Sequence, residues 1–230
     1  MLQAIDESVL HFLNGFANRS TALDMIIVRG FQMPSVRFLP LMTCIVWLWF
    51  DAGTYWKPRF LLLQGLPGTL LAPFTSRAIQ SLSPHRPRPM HVEELNLAMP
   101  GGVSRDQLHE WSSFPSDNAA LAFAIATTVW RVSRPLSLAC FAWALFVVAM
   151  PRVYAGYHYP SDIAGGAIIG ILSVLVCAKL TTTMSALNRI GSLEQRSPGL
   201  FYSVCFVTMF YITTMFEDIR RIGSRLAELL

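Results

Sequence analysis

Arg152, His158 and Asp162 sit within the stretch RVYAGYHYPSD, where an otherwise apolar run breaks. A guanidinium can clamp two phosphate oxygens at once. An imidazole can attack phosphorus, and a carboxylate four residues on can accept the other ring N–H. That bond would fix the tautomer and stabilise charge building on the ring. The same stretch also reads as a plain loop with a satisfied histidine, because Pro160, Ser161 and Asp162 are good helix-capping residues.

Two further polar stretches carry similar chemistry. In SLSPHRPRP, Arg86 and Arg88 are separated by one proline and followed by another, which stiffens the backbone. Two fixed guanidinium groups suit a phosphate of about two negative charges, or equally the anionic headgroups of a membrane surface. In WSSFPSDNAA, Ser116 opens a helix with Asp117 and Asn118 in its first turn. A helix N-terminus offers free N–H groups to an anion, and the same residues also serve as simple caps. The functional reading gains weight because all three stretches lie at the ends of apolar runs and thread to one face.

The elements that must position these residues are hydrophobic. The 230-residue chain is 53% hydrophobic and 14% charged, with a mean hydropathy of +0.44. Soluble domains carry roughly 25% charge, so the chain reads as a polytopic, all-α membrane helix bundle forming a single domain. The net charge of +4 is spread over short loops between apolar runs, a pattern of membrane orientation rather than nucleic-acid binding. Cys44, Cys140, Cys177 and Cys205 stand singly inside apolar runs and read as small hydrophobes, not as a disulfide framework or zinc site. The N-terminus lacks an early basic cluster ahead of an apolar core and does not read as a cleaved signal peptide.

Residues 1–33 predict one or two amphipathic helices at the membrane interface. Six spans are expected at 36–50 (short for a full crossing and open to a start before Pro34), 60–82, 116–132, 135–153, 161–180 and 200–216, followed by an amphipathic tail helix over 217–230. Gly65, Pro67, Gly68 and Pro73 interrupt the second span, which neighbouring helices can tolerate. Gly165, Gly166 and Gly170 allow close packing of the fifth. Threading places the polar segment 84–114 and the His158 turn on one side. Lys57, Arg59, Arg131, Arg134, Lys179, Arg189 and Arg196 collect on the other, which the positive-inside rule makes cytoplasmic.

The three polar stretches resemble the three signature motifs of the type 2 phosphatidic acid phosphatase superfamily, related to vanadium haloperoxidases. The first motif, a lysine, six residues and Arg-Pro, is matched at Arg88-Pro89, with Ser81 where the lysine stands. Arg77, one helical turn earlier on the same face, is a candidate for the missing cation. The second, Pro-Ser-Gly-His, is met by Pro115-Ser116-Asp117-Asn118, and the aspartate is similar to the bacterial undecaprenyl-diphosphatase branch. The third is matched by Arg152, His158 and Asp162, with Pro151 in place of its serine. The likeness covers residues 77–170, and Leu13-Asn14-Gly15-Phe16 also resembles that branch.

The resemblance implies His158 as nucleophile forming a phospho-histidine, and Asp162 as its orienter. It implies phosphate binding by Arg77, Arg88, Arg152, Ser116 and Asp117, with Arg86 auxiliary. Asn118 stands where the family places its general acid, and an amide can only hydrogen-bond. A lipid phosphate leaving from a diphosphate is a weak base and best dispenses with an acid, whose help is worth roughly 10²–10⁴-fold. The expected activity is therefore metal-independent hydrolysis of a polyprenyl (undecaprenyl) diphosphate at an outward-facing site in a bacterial inner membrane, without cofactor. Three alternatives remain: Asn118 as a silencing change; Asp117, His85, His91 or His109 as the acid; or a different activity. That last class comprises a lipid phosphomonoesterase, acting on phosphatidic acid, phosphatidylglycerol phosphate or lipid A, and a silent lipid-phosphate binder or transporter.

Overall fold

A computed structural model describes residues 2–53, 55–109, 111–181, 190 and 192–215. The described residues are helical throughout their regular structure, with no strand among them. A short amphipathic helix, α1 (Leu2–Asn14), precedes a single turn, α2 (Thr21–Asp24), which runs on as a π-helical turn to Gly30. Then follow α3 (Pro34–Asp51), α4 (Trp56–Leu82), α5 (Asp117–Trp130), α6 (Arg134–Trp143), α7 (Met150–Tyr154), α8 (Pro160–Leu180) and α9 (Pro198–Thr213). α6 and α7 are one rod, joined through the π-helical turn Ala144–Ala149.

Each expected span overlaps a helix among the described residues, and of these helices Arg134–Tyr154 and Pro160–Leu180, 21 residues each, are long and apolar enough to cross a membrane. Thr21–Gly30 and α3 qualify together, bent by 59° at the break between them. The first span therefore has an approach arm ahead of Pro34, the earlier start that its short length had left open. α4 continues through Pro67 and Pro73 for 27 residues. The expected tail helix over 217–230 and Arg189 lie outside the described residues.

α5 is the centre of the bundle. Twelve of its 14 residues are buried, and they are mostly Ala, Leu, Ile and Thr. A helix apolar all round must be enclosed all round. α8 and α4 close on it through glycines. A Cβ at Gly170 would stand 2.2 Å from the Ala120 carbonyl oxygen, and one at Gly166 2.3 Å from that of Ser116. A Cβ at Gly65 would stand 2.6 Å from the Thr128 side chain, beside the 2.9 Å Thr69–Thr128 hydroxyl bond. On the other flank Phe38, Leu41 and Met42 of α3 pack with Leu121, Ile125 and Val129 of α5, Val148 of the α6–α7 rod and Ile212 of α9. The outer faces carry exposed Trp47, Phe50, Phe74, Leu138, Phe146, Ile168, Leu172, Leu200 and Phe206, a surface suited to lipid rather than water.

α1 departs from a plain interfacial helix. Its inward stripe is Asp6, Leu10 and Asn14, all buried, while Leu2, Ile5, Val9 and Phe12 are exposed. Asn14 donates to the carbonyls of Ala98 and Tyr154 and accepts from Ala98 N, so α1 is pinned to the polar loop and to the end of α7.

Candidate active site

The loop 84–114, the start of α5 and the turn 155–159 are laced together by backbone bonds. Ser113 N donates to Arg86 O at 2.9 Å, Met90 N to Gly156 O at 3.0 Å, and Ser116 N to Asp162 O at 3.0 Å. Gly156 takes φ +71° in the turn, a conformation that disfavours a side chain, and a Cβ there would press Met90 at 3.2 Å. The turn closes with Tyr157 N on Arg152 O. His158 is thereby held rigidly, 1% exposed.

Nδ1 of His158 lies 2.8 Å from the Ser113 carbonyl oxygen. A carbonyl only accepts, so Nδ1 carries the proton and Nε2 keeps its lone pair. Nε2 faces Arg88 Nη1 at 3.4 Å. Burial pushes the imidazole down to about 4; Asp162 works the other way, and the Arg152 and Arg88 charges add to the depression. The ring is neutral at pH 7, with the nitrogen needed for attack on phosphorus exposed to a guanidinium that would hold the phosphoryl group.

Asp162 is placed differently from the expectation of a direct orienter. Its Oδ2 is 3.6 Å from Nδ1, outside hydrogen-bond range, and accepts from Tyr159 N at 2.8 Å. Its Oδ1 pairs with Arg86 at 2.5 Å. Asp162 caps α8 and stands close enough to His158 to favour its protonated form by contact and by charge, while the Ser113 carbonyl sets the tautomer. Nothing in the sequence marks a backbone carbonyl for that role.

The cations divide into two groups. Arg86 is spent on two carboxylates, Asp162 and, through Nη2, Asp6 at 2.9 Å, and on the Ser161 hydroxyl, with its plane over Tyr159. That differs from the phosphate partner expected, because two buried carboxylates would otherwise be unneutralised. Arg77 pairs with Asp117 at 2.8 Å and lies over Trp111. Asp117, expected to bind phosphate, instead accepts from Arg77, from Asn118 N and from Asn118 Nδ2. A buried carboxylate repels an anion, so its part is to hold those neighbours.

Arg88 and Arg152 form no ion pair among the described residues. Arg88, 4% exposed, donates to the Tyr157 carbonyl at 2.9 Å and weakly to that of Ser112. Burial pulls it down to about 10, with the Arg152 charge next in effect. Arg152, 8% exposed, donates to Gln32 Oε1 at 3.0 Å. Both Nε–H groups are buried without a partner. Two buried, mutually repelling guanidinium groups are strongly unfavourable unless an anion joins them. Ser116 is fully buried as the cap of α5, its Oγ accepting from Ala119 N and its O–H free to donate.

Asn118, 5% exposed, accepts through Oδ1 from Arg37. Arg37 reaches in from the first turn of α3, where residue-level reading sees only an apolar span. Asp6 and Gln32 were missed likewise: all three lie outside the motif stretches, and only packing brings them here. The hint available was a charged or polar residue inside an otherwise apolar run. His91 and His109 stack on each other in the loop, with His91 bonded to the Gln107 carbonyl, and His85 is exposed.

The PAP2 superfamily model matches residues 62–185, more than half of the chain and including all three motif stretches. A protein of Escherichia coli (strain K12) that carries the name of an undecaprenyl-diphosphatase, YbjG, is 28% identical over 90% of this chain and 94% of its own length. A lipid A 4'-phosphatase of Bacteroides thetaiotaomicron is 27% identical over 74% of this chain and 73% of its own. The bacitracin transport permease protein BcrC of Bacillus licheniformis is 32% identical over 85 residues, 37% of this chain and 41% of that protein's length. The crystal structure of Aquifex aeolicus LpxE covers 75% of this chain and 93% of that one at 26% identity, with a TM-score of 0.48. The motif residues gathered around His158 and the family match agree: this chain is an integral-membrane phosphatase of the PAP2 superfamily.

Proposed function

We propose that the protein hydrolyses a polyprenyl diphosphate, of the undecaprenyl class, to the lipid monophosphate and inorganic phosphate. The carrying observation is the neutral, buried His158, its Nδ1–H fixed on the Ser113 carbonyl and its Nε2 beside Arg88. Nε2 attacks the terminal phosphorus as the bridging P–O bond breaks. The electron pair leaves on the lipid phosphate, and water then cleaves the N–P bond to release inorganic phosphate. Arg88 and Arg152 meet the equatorial oxygens, with the Ser116 hydroxyl beside them. The three buried carboxylates of the region are already engaged, Asp6 and Asp162 by Arg86 and Asp117 by Arg77. We therefore read the reaction as metal-independent.

The diphosphate preference rests on Asn118. Its Oδ1 is held by Arg37 and its Nδ2 by Asp117, so position 118 supplies a fixed amide and no acid. A leaving group that is itself a phosphate, with a second pKa of about 6, needs none. The likeness to a lipid A 4'-phosphatase favours a second reading, hydrolysis of a lipid phosphomonoester. A binder without turnover is the third. We place the site on the outward face of a bacterial inner membrane, in a single domain of six spans with its motif core at residues 77–170.

The test is phosphate release from undecaprenyl diphosphate by the purified protein in detergent, with and without EDTA. Release that survives EDTA and is lost in His158→Ala supports the diphosphatase. Monoester hydrolysis as fast as diphosphate hydrolysis would sink the preference, and no release from either would favour the binder.

A further inference from the structure

Gln32 lies in the three-residue break where Thr21–Gly30 bends 59° into α3, and no motif contains it. Its Oε1 accepts from Arg152 Nη1 at 3.0 Å. A guanidinium has no acceptor, so this bond fixes the amide with its oxygen toward Arg152 and its NH₂ on the other side. That Nε2 is buried and has no partner, as are Arg88 Nε and Arg152 Nε. Arg152 joins the groups: it is bonded to Gln32, and its charge bears directly on Arg88 and His158. What they share is donor character. A buried donor without an acceptor is destabilising by itself, and an acceptor-only oxyanion answers all three.

We propose that Gln32 is a further substrate-binding residue, donating its Nε2–H to a phosphoryl oxygen while its Oε1 holds Arg152 against the same group. The inference rests on the reading of this site as a phosphate site and adds the N-terminal arm to it. Being neutral, Gln32 contributes direction without adding to the repulsion between Arg88 and Arg152. The bend ahead of α3 has a purpose in this arrangement: a straight helix through residue 32 would carry the amide in a different direction.

The experiment measures binding of orthophosphate and orthovanadate to the full chain in detergent by calorimetry. It compares the native protein with Gln32→Glu, Gln32→Ala and Arg152→Ala, and records each melting temperature without anion. Gln32→Glu keeps shape and contact with Arg152 but replaces the donor by a negative charge. A hydrogen bond to a charged group predicts anion affinity lower by about 10- to 100-fold in Gln32→Ala, and lower still in Gln32→Glu. The anion-free melting temperature should fall in Gln32→Ala, which strips Arg152 of its acceptor, and hold in Gln32→Glu, which keeps one; in both, KM for the lipid should rise more than kcat falls. Affinity within twofold of native in both Gln32 variants, with Arg152→Ala losing it, overturns the role of Gln32 alone. No anion binding by the native protein overturns the phosphate-site reading and the inference with it.

Discussion

His158 is the residue on which the pH behaviour of this protein turns. Its folded pKa, about 4, lies below the ordinary value of 6.5 because burial penalises the imidazolium. Between those values the unfolded chain binds the proton and the folded chain does not. The contribution is thus fully present above pH 6.5 and is lost as pH falls through 4. Thermal unfolding in detergent should show a melting temperature that falls from pH 6.5 to 4. His158→Gln, which has no proton to take up, should flatten that fall while lowering phosphate release by at least about 10³-fold. Asn118 offers a second check. Asn118→His supplies an acid and should raise hydrolysis of alkyl phosphomonoesters by about 10²- to 10⁴-fold, with less gain on diphosphates. An equal gain on both substrates would contradict the link between the amide and the leaving group.

At the scale of elements, α1 and α8 are joined by one carboxylate. Asp6 accepts from Ser161 N at 2.8 Å and pairs with Arg86, which in turn holds Asp162. Asp6→Ala leaves Arg86 to Asp162 alone and removes the anchor of the α8 N-terminus. Arg86 is a third exposed and keeps Asp162, so the loss is mainly that of the hydrogen bonds from Ser161 and should destabilise by about 1–3 kcal/mol, read as a lower melting temperature together with a reduced kcat. The glycine seam of α8 predicts a different outcome. Gly170→Ala puts a methyl group against the backbone of α5, costing about 1–3 kcal/mol as overpacking. Activity per folded molecule should be retained if the helices part only locally, which thermal melts and activity assays on the same sample will separate.

The whole molecule places its polar loop and site at one end of the bundle. The Arg59–Glu194 pair and Arg131, bonded to Gln64, lie at the other. The orientation we propose, from the positive-inside rule, puts that second end in the cytoplasm. In a cysteine-free background, a cysteine at Glu94 should react with a membrane-impermeant thiol reagent added outside intact spheroplasts. One at Arg196 should react only after lysis, and the reverse pattern would invert the proposed orientation.

Composition and patterning specify the class of the protein: low charge, apolar runs of helical length and glycines where helices meet make a membrane bundle. They also single out the candidate site residues, since Arg88, Arg152, His158 and Asp162 stand as polar residues at the ends of apolar runs. Tertiary structure decided who partners whom. Arg86 looks like Arg88 in sequence, yet it is consumed by Asp6 and Asp162 while Arg88 is left with carbonyls. The carboxylate expected to orient His158 stands 3.6 Å from Nδ1, and a backbone carbonyl shares that nitrogen at 2.8 Å. Arg37, in the first turn of α3, and Gln32, in the bend before it, come to the site through a bend whose direction no local pattern reveals. The physical reason is common to all three: residue type and spacing fix what a side chain can do, but buried charge is neutralised by whichever group packing brings within reach.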